Sequence, residues 1–229
     1  MEPRPRQTRA GLAAAMLVLL VFSLAAAWGR KPPKEDTVRV TTRPLSTSEI
    51  MAILHKFPEM VPGYLASLQN DTNGLASIFG FVEVTAAPLT RVFPTARFYL
   101  GHYFNYSPPP PYLMAIDGGG RYPMPSGFGL LLRDNGLKVT DKNIIELAKP
   151  LVVAAIGIEH HEITFLGAKK KKLEEWATDA AQLKVRIDGK EEEWHFDVLR
   201  NQFDGASSVD EKGNIRDYYV AMPESHPLR

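Results

Sequence analysis

The 229 residues are 45% apolar and 23% charged, the balance of a globular chain with room for one ordinary domain and extensions. A net charge of +1 supplies no field for a polyanion, so nucleic acid is not an expected partner. With no cysteine, the chain is excluded from disulfides, thiolate metal sites, cysteine nucleophiles and lipid-modified cysteine.

Residues 1–29 have the composition of a signal peptide or a single-pass membrane anchor. Arg4, Arg6 and Arg9 form a basic start, and residues 11–28 are apolar apart from Ser23. Ala25, Ala26 and Ala27 suit a cleavage site. The apolar run is close to the shortest that spans ~30 Å of hydrocarbon. Arg30, Lys31 and Lys34 follow it, so basic residues on both sides leave its orientation open. Residues 30–42 read as a stalk, with Pro32 and Pro33 stopping the apolar helix. The expectation is a membrane-anchored or secreted chain, with the membrane as partner through the N-terminal helix and the domain at 43–229 extracytoplasmic.

Within that domain, Thr47 to Lys56 is expected as a helix, capped by hydroxyl and acidic residues and striped by Ile50, Met51, Ile53 and Leu54. "YLASLQN" reads as a second short helix, ended by Asn70, Asp71, Asn73 and Gly74. "SIFGFVEVTA" and "ARFYLGHYFNY" are extended segments, rich in aromatic and β-branched residues. Residues 105–127 combine a four-proline run with Gly118, Gly119 and Gly120 and read as a long loop. The glycines match no phosphate-binding pattern and read as a turn. "GFGLLLRDNG" is expected as a strand and turn, and "TDKNIIELAKPLVVAAIG" as a helix capped by Thr140 and kinked or broken at Pro150. The lysines 169–172 lead into a segment where Leu173, Trp176, Ala177 and Ala180 fit a helical stripe.

Alternation is sharpest near the C-terminus. Leu183, Val185 and Ile187 face one way, as do Trp194, Phe196 and Val198, and an even-length loop at Asp188-Gly189 puts both sets on one face. A four-residue loop would set Val185 opposite Trp194, Leu183 opposite Phe196 and Arg186 opposite Glu193. "DEKG" then turns the chain into a third strand, "IRDYYVAM". The expected fold is α+β: an antiparallel sheet with a C-terminal β-meander, two or three helices packed on one face, and the hydrophobic helix before it.

The segment "IEHHEITF" invites a metal reading, with Glu159, His160, His161 and Glu162 adjacent. A zincin needs HExxH on a helix, and three residues after Glu162 stands Phe165. On a strand, His160 and His161 point to opposite faces, so a site requires a distant histidine such as His102 or His195. The plainer reading is a polar strand entrance. His195 lies on the polar face of the hairpin near Glu193 and Asp197. Tyr99, His102, Tyr103, Tyr106, Tyr112 and Tyr122 gather around the proline-rich loop and form the expected ligand- or partner-binding set. No GxSxG pattern or other complete catalytic constellation occurs. The expected function is a membrane-anchored or exported, non-enzymatic binding domain of the cell envelope, with no cofactor, that recognises a protein partner or a small apolar ligand. The alternative is a metal-dependent hydrolase using His160, His161, Glu162 and His195.

Overall fold

A computed structural model describes residues 35–58, 82–102, 111–156 and 162–220, with the side chains of residues 101, 102, 111 and 112 excepted. The chain from Glu35 onward is one compact unit. Two antiparallel sheets, not the single expected one, carry the fold. β1 (Asp36–Arg39), β7 (Glu162–Lys170), β8 (Trp176–Ile187), β9 (Lys190–Leu199), β10 (Gln202–Asp210) and β11 (Ile215–Tyr219) form a six-stranded sheet in that order. β2 (Thr41–Pro44), β3 (Val82–Thr85), β4 (Arg97–His102), β5 (Pro111–Asp117) and β6 (Gly120–Pro123) form the other. The chain changes sheets at Val40, which is buried between β1 and β2, so the folded unit begins inside the segment expected as a stalk.

Among the described residues four helices accompany the sheets: α1 (Thr47–Lys56), α2 (Ala87–Val92), α3 (Phe128–Asp134) and α4 (Ile144–Ile156). They do not share one face. Residues of α2, α3 and α4 join both sheets in one large core that includes Phe93, Phe98, Phe128, Trp194, Phe196 and Phe203. α1 packs separately: Ile50, Leu54 and Phe57 meet Tyr99, Met114 and Ile116 on the other face of the five-stranded sheet. The register explains the division. Phe98 pairs with Ala115 and points into the large core, while the next residue, Tyr99, pairs with Met114 and points to α1.

Local chemistry accounts for α1. Ser46 Oγ accepts from the Glu49 amide at 3.4 Å, and Glu49 Oε2 accepts from the Ser46 amide at 2.8 Å, a reciprocal capping box at the expected start. α4 continues through Pro150, so the helix is not broken there and the segment after the proline is a buried helix, not a strand. An interior proline costs ~3 kcal/mol, but this helix buries Ile144, Leu147, Ala148 and every residue from 150 to 154, and that packing outweighs the lost hydrogen bond.

Three further expectations are corrected. "GFGLLLRDNG" is helical because Phe128, Leu131 and Leu132 bury one stripe, at a spacing that a strand would send to both faces. The expected helix after the lysine run is strand β8, whose ladder to β9 is interrupted between Ala177 and Ala181 by a bulge with Asp179 at φ 47°. That interruption mimics a helical spacing. "QFDGASSVD" is the unforeseen strand β10, entered by a tight turn in which Arg200 (φ 48°) and Asn201 (φ 63°) both take the left-handed conformation.

The hairpin β8–β9 has the expected buried face but a different register. Asp188 (φ 47°) and Gly189 (φ 84°) make a two-residue turn, so Ile187 pairs with Lys190, Leu183 with Trp194 and Arg186 with Glu191. Every pairing is two residues from the four-residue-loop version, which preserves the faces and changes the partners. The glycines 118–120 likewise close a hairpin, with Asp117 opposite Gly120, so residues 111–117 and 120–123 of the expected long loop are β5 and β6, while 105–110 lie outside the described residues. The run at residues 64–70, expected as a helix, lies outside the described residues.

Among the described residues no helix is long and apolar enough to cross a membrane. This corrects the expectation of a membrane-anchored chain, together with the membrane as its partner and location. The segment 1–29, on which that expectation rested, lies outside the described residues.

Candidate functional site

A groove with a volume of about 300 Å³ lies between α1 and the sheet it covers. Ile53 from α1 and Phe57 just after it, with Tyr99 and Ile116 from β4 and β5, make its apolar surface, and Leu45 and Ala52 flank them. Glu49, Lys56, Arg97 and Thr95 bring the polar groups. Its size is at the lower end of small-ligand pockets, and its mix of apolar surface with few polar groups is theirs also.

The charges fall into two sets. Beside the start of α1, Arg43 Nη2 bridges Glu49 Oε1 at 2.8 Å and Glu83 Oε2 at 2.6 Å, with Nε donating to Glu83 at 3.1 Å and Nη1 to Glu49 at 3.2 Å. The Arg43 hydrogen bonds, helped by the Ser46 amide and hydroxyl, hold Glu49 at about 2. At the helix's other end Lys56 Nζ donates to the Gly118 carbonyl. Arg97 reaches Glu83 only at 3.9 Å and lies against the Tyr99 hydroxyl, which burial pushes above its ordinary value.

This latch has a pH signature. The folded value of Glu49 lies below the ~4.3 of a free glutamate, so its contribution is present above about pH 4.3 and lost as pH falls toward 2. On acidification, α1 amide resonances of the native protein are expected to shift between pH 4.3 and 2, and those of Glu49→Gln are expected to lack that step.

The expected aromatic set is divided by the sheet. Tyr99 lines the groove, whereas Tyr122 pairs with Ala115 on the opposite face and joins the large core. The Tyr122 hydroxyl donates to Asp134 Oδ2 at 2.8 Å, and burial, then Asp134, pushes it up to about 12. Its folded value exceeds the free value of ~10, so its contribution is full below pH 10 and lost as pH rises through 12. Tyr122→Phe should therefore flatten the fall in stability between pH 10 and 12, measured by denaturant midpoint. His102 and Tyr112 sit in β4 and β5; Tyr103 and Tyr106 lie outside the described residues.

The metal-hydrolase alternative is corrected. No group of three or more His, Asp or Glu side chains among the described residues could hold a metal ion. Glu162 is exposed at the start of β7, 3.9 Å from Arg39. His195 lies across Gln182 from Lys169, seven residues further along β7, which at ~3.3 Å per residue is roughly 20 Å from Glu162. His160 and His161, with Glu159, lie outside the described residues.

His195 has its own setting on the outer face of the six-stranded sheet. Its Nδ1 is 2.7 Å from Asp179 Oδ1, and the Asp179 amide donates to Asp197 Oδ1 at 2.8 Å. The bulge in β8 turns Asp179 toward the histidine. Asp204, at a second bulge in β10, is raised by burial and by the charge of Asp197. These groups form a hydrogen-bonded patch on an open sheet face, in contrast to the concave site under α1.

Sequence reading did not single out Glu49, Lys56, Arg97 or Ile116. Their signal was spread over three distant segments that only the sheet register brings together. No protein-family model matches the chain, and neither the curated proteins nor the solved structures searched include a match.

Proposed function

We propose that this domain binds a small amphipathic molecule in the groove between α1 and the five-stranded sheet. The observation that carries the reading is the concave space of about 300 Å³ where Ile53, Phe57 and Ile116 meet the polar ends of Lys56 and Arg97. Apolar surface supplies the affinity, and a small number of placed polar groups orients the ligand. Non-enzymatic binding is part of the proposal. Glu49 is the carboxylate lining the groove, and a value of about 2 makes it too weak a base for proton abstraction at neutral pH.

Ala52 lines the groove from an exposed position on α1, so a larger side chain there fills the space without entering a core. Ligand-observed NMR with a panel of amphipathic fragments should detect binders to the native chain, and Ala52→Phe should lose them with its thermal midpoint unchanged. Binders that survive Ala52→Phe undiminished would place the site elsewhere.

A further inference from the structure

We infer that the ligand of this groove is a monocarboxylate of about ten non-hydrogen atoms, its acidic head held by Lys56 and Arg97 and its apolar body lying on Ile53, Phe57 and Ile116. The inference rests on the groove reading above and adds the ligand's charge and size.

The charge follows from which ion pairs are complete. Arg43 gives hydrogen bonds to both oxygens of Glu49 and to Glu83 Oε2, so both carboxylates beside the groove have a hydrogen-bonding partner, and its one charge offsets one of the two. Glu49, held ionised at about 2, keeps its partner across the physiological range. Arg97 lies against the neutral Tyr99 hydroxyl and reaches Glu83 at 3.9 Å, and Lys56 is spent on a neutral carbonyl, that of Gly118. Among the described residues, Arg43, Lys56 and Arg97 thus stand against Glu49 and Glu83, which leaves one positive charge in excess at the Lys56–Arg97 end. A monoanion completes it. A cationic ligand would meet two like charges there, and a neutral one would leave Lys56 on a carbonyl and Arg97 on its long contact with Glu83.

Position agrees with charge. Arg97 pairs with Ile116 across β4 and β5, so a guanidinium stands directly beside apolar surface on the same face. Lys56 is the last residue of α1 and Phe57 follows it, which repeats that juxtaposition from the helix side. A head group between the two cations therefore leaves its chain over Phe57, Ile116 and Ile53. A guanidinium fork matches a carboxylate in two parallel hydrogen bonds, whereas Lys acts as a point charge. Volume is compatible with that size: a bonded heavy atom takes no more than the ~30 Å³ share of a water in the liquid, so a groove of about 300 Å³ admits a ligand of roughly ten heavy atoms.

Octanoate has that size and charge, and octanol is its neutral counterpart. Isothermal titration of the full chain at low salt should show octanoate binding about tenfold or more tightly than octanol. Lys56→Met and Arg97→Met should each weaken octanoate several-fold and leave octanol unchanged, and added salt should weaken octanoate alone. Ala52→Phe should abolish both. Equal affinity for the two ligands, or octanoate binding indifferent to both methionine variants and to salt, would overturn the carboxylate head while the groove stands. Binding of neither ligand, or binding that persists in Ala52→Phe, would overturn the groove itself.

Discussion

Phe128→Ala will destabilise the domain by about 3–5 kcal/mol, the range for removing a fully buried phenylalanine ring. Phe128 has no exposed surface and stands at the first position of α3. Its ring meets Phe93 edge-on at 5.6 Å and Phe203 at 6.2 Å, so one side chain ties the end of α2 to α3 and β10. The neighbouring rings extend these contacts, with Phe93 at 6.2 Å from Phe98 and Phe203 at 5.7 Å from Phe196. Deleting the central ring leaves a cavity in the region where both sheets share a core, and the surrounding strands can close it only in part. The same region distinguishes helix from strand. Leu131 is fully buried and Leu130 is only partly so, an assignment a strand would reverse if Phe128 faced inward. Leu131→Ala should therefore cost more than Leu130→Ala in denaturant unfolding, and the opposite order would contradict α3.

Leu54→Ala will have its effect in a different place. Leu54 is 3% exposed in the small cluster that docks α1, which shares no residue with the large core. Its truncation should cost about 2–5 kcal/mol. Because the cluster is separate, that cost should appear as local opening of α1 before it appears as global unfolding. At 1.4 kcal/mol per factor of ten, the lower limit corresponds to roughly thirtyfold faster hydrogen exchange at the α1 amides. Amides of β9 and α4 should keep their native protection. The groove would lose one wall in that open state, so ligand affinity should fall with it. Uniform acceleration across the whole domain would show that α1 and the main core unfold as one unit.

What could be read from the sequence follows from where the physics is local. The α1 helix was legible because its cap and its stripe lie within ten consecutive residues, Ser46 reaching Glu49 and Ile50 preceding Leu54. The buried face of β8–β9 was legible because alternation is a property of each strand alone. Its register was not, because register depends on whether the turn has two residues or four, and Asp188-Gly189 closes it in two. β8 was mistaken at its start because the bulge at Asp179 sets Ala177 and Ala180 at a helical spacing. β10 was hidden by Gly205, Ser207 and Ser208, residues of weak strand propensity that are held by neighbours on both sides. At Pro150 the sequence left helix and strand open, and the choice was made by burial of residues 147, 148 and 150–154. The groove was least legible of all. Tyr99 was singled out for its aromatic character, but the residues around it belong to α1, β4 and β5, and only tertiary packing gathers them.

In the proposed function ligand enters beneath α1. The most direct measurement is a backbone amide shift map of the full chain titrated with octanoate. The expected result is a saturable set of changes confined to α1, to Thr95 before β4 and Arg97 at its start, and to Ile116 near the end of β5 and Gly118 just after it. Changes centred instead on His195, Asp179 and Asp197 on the outer face of the six-stranded sheet would contradict it.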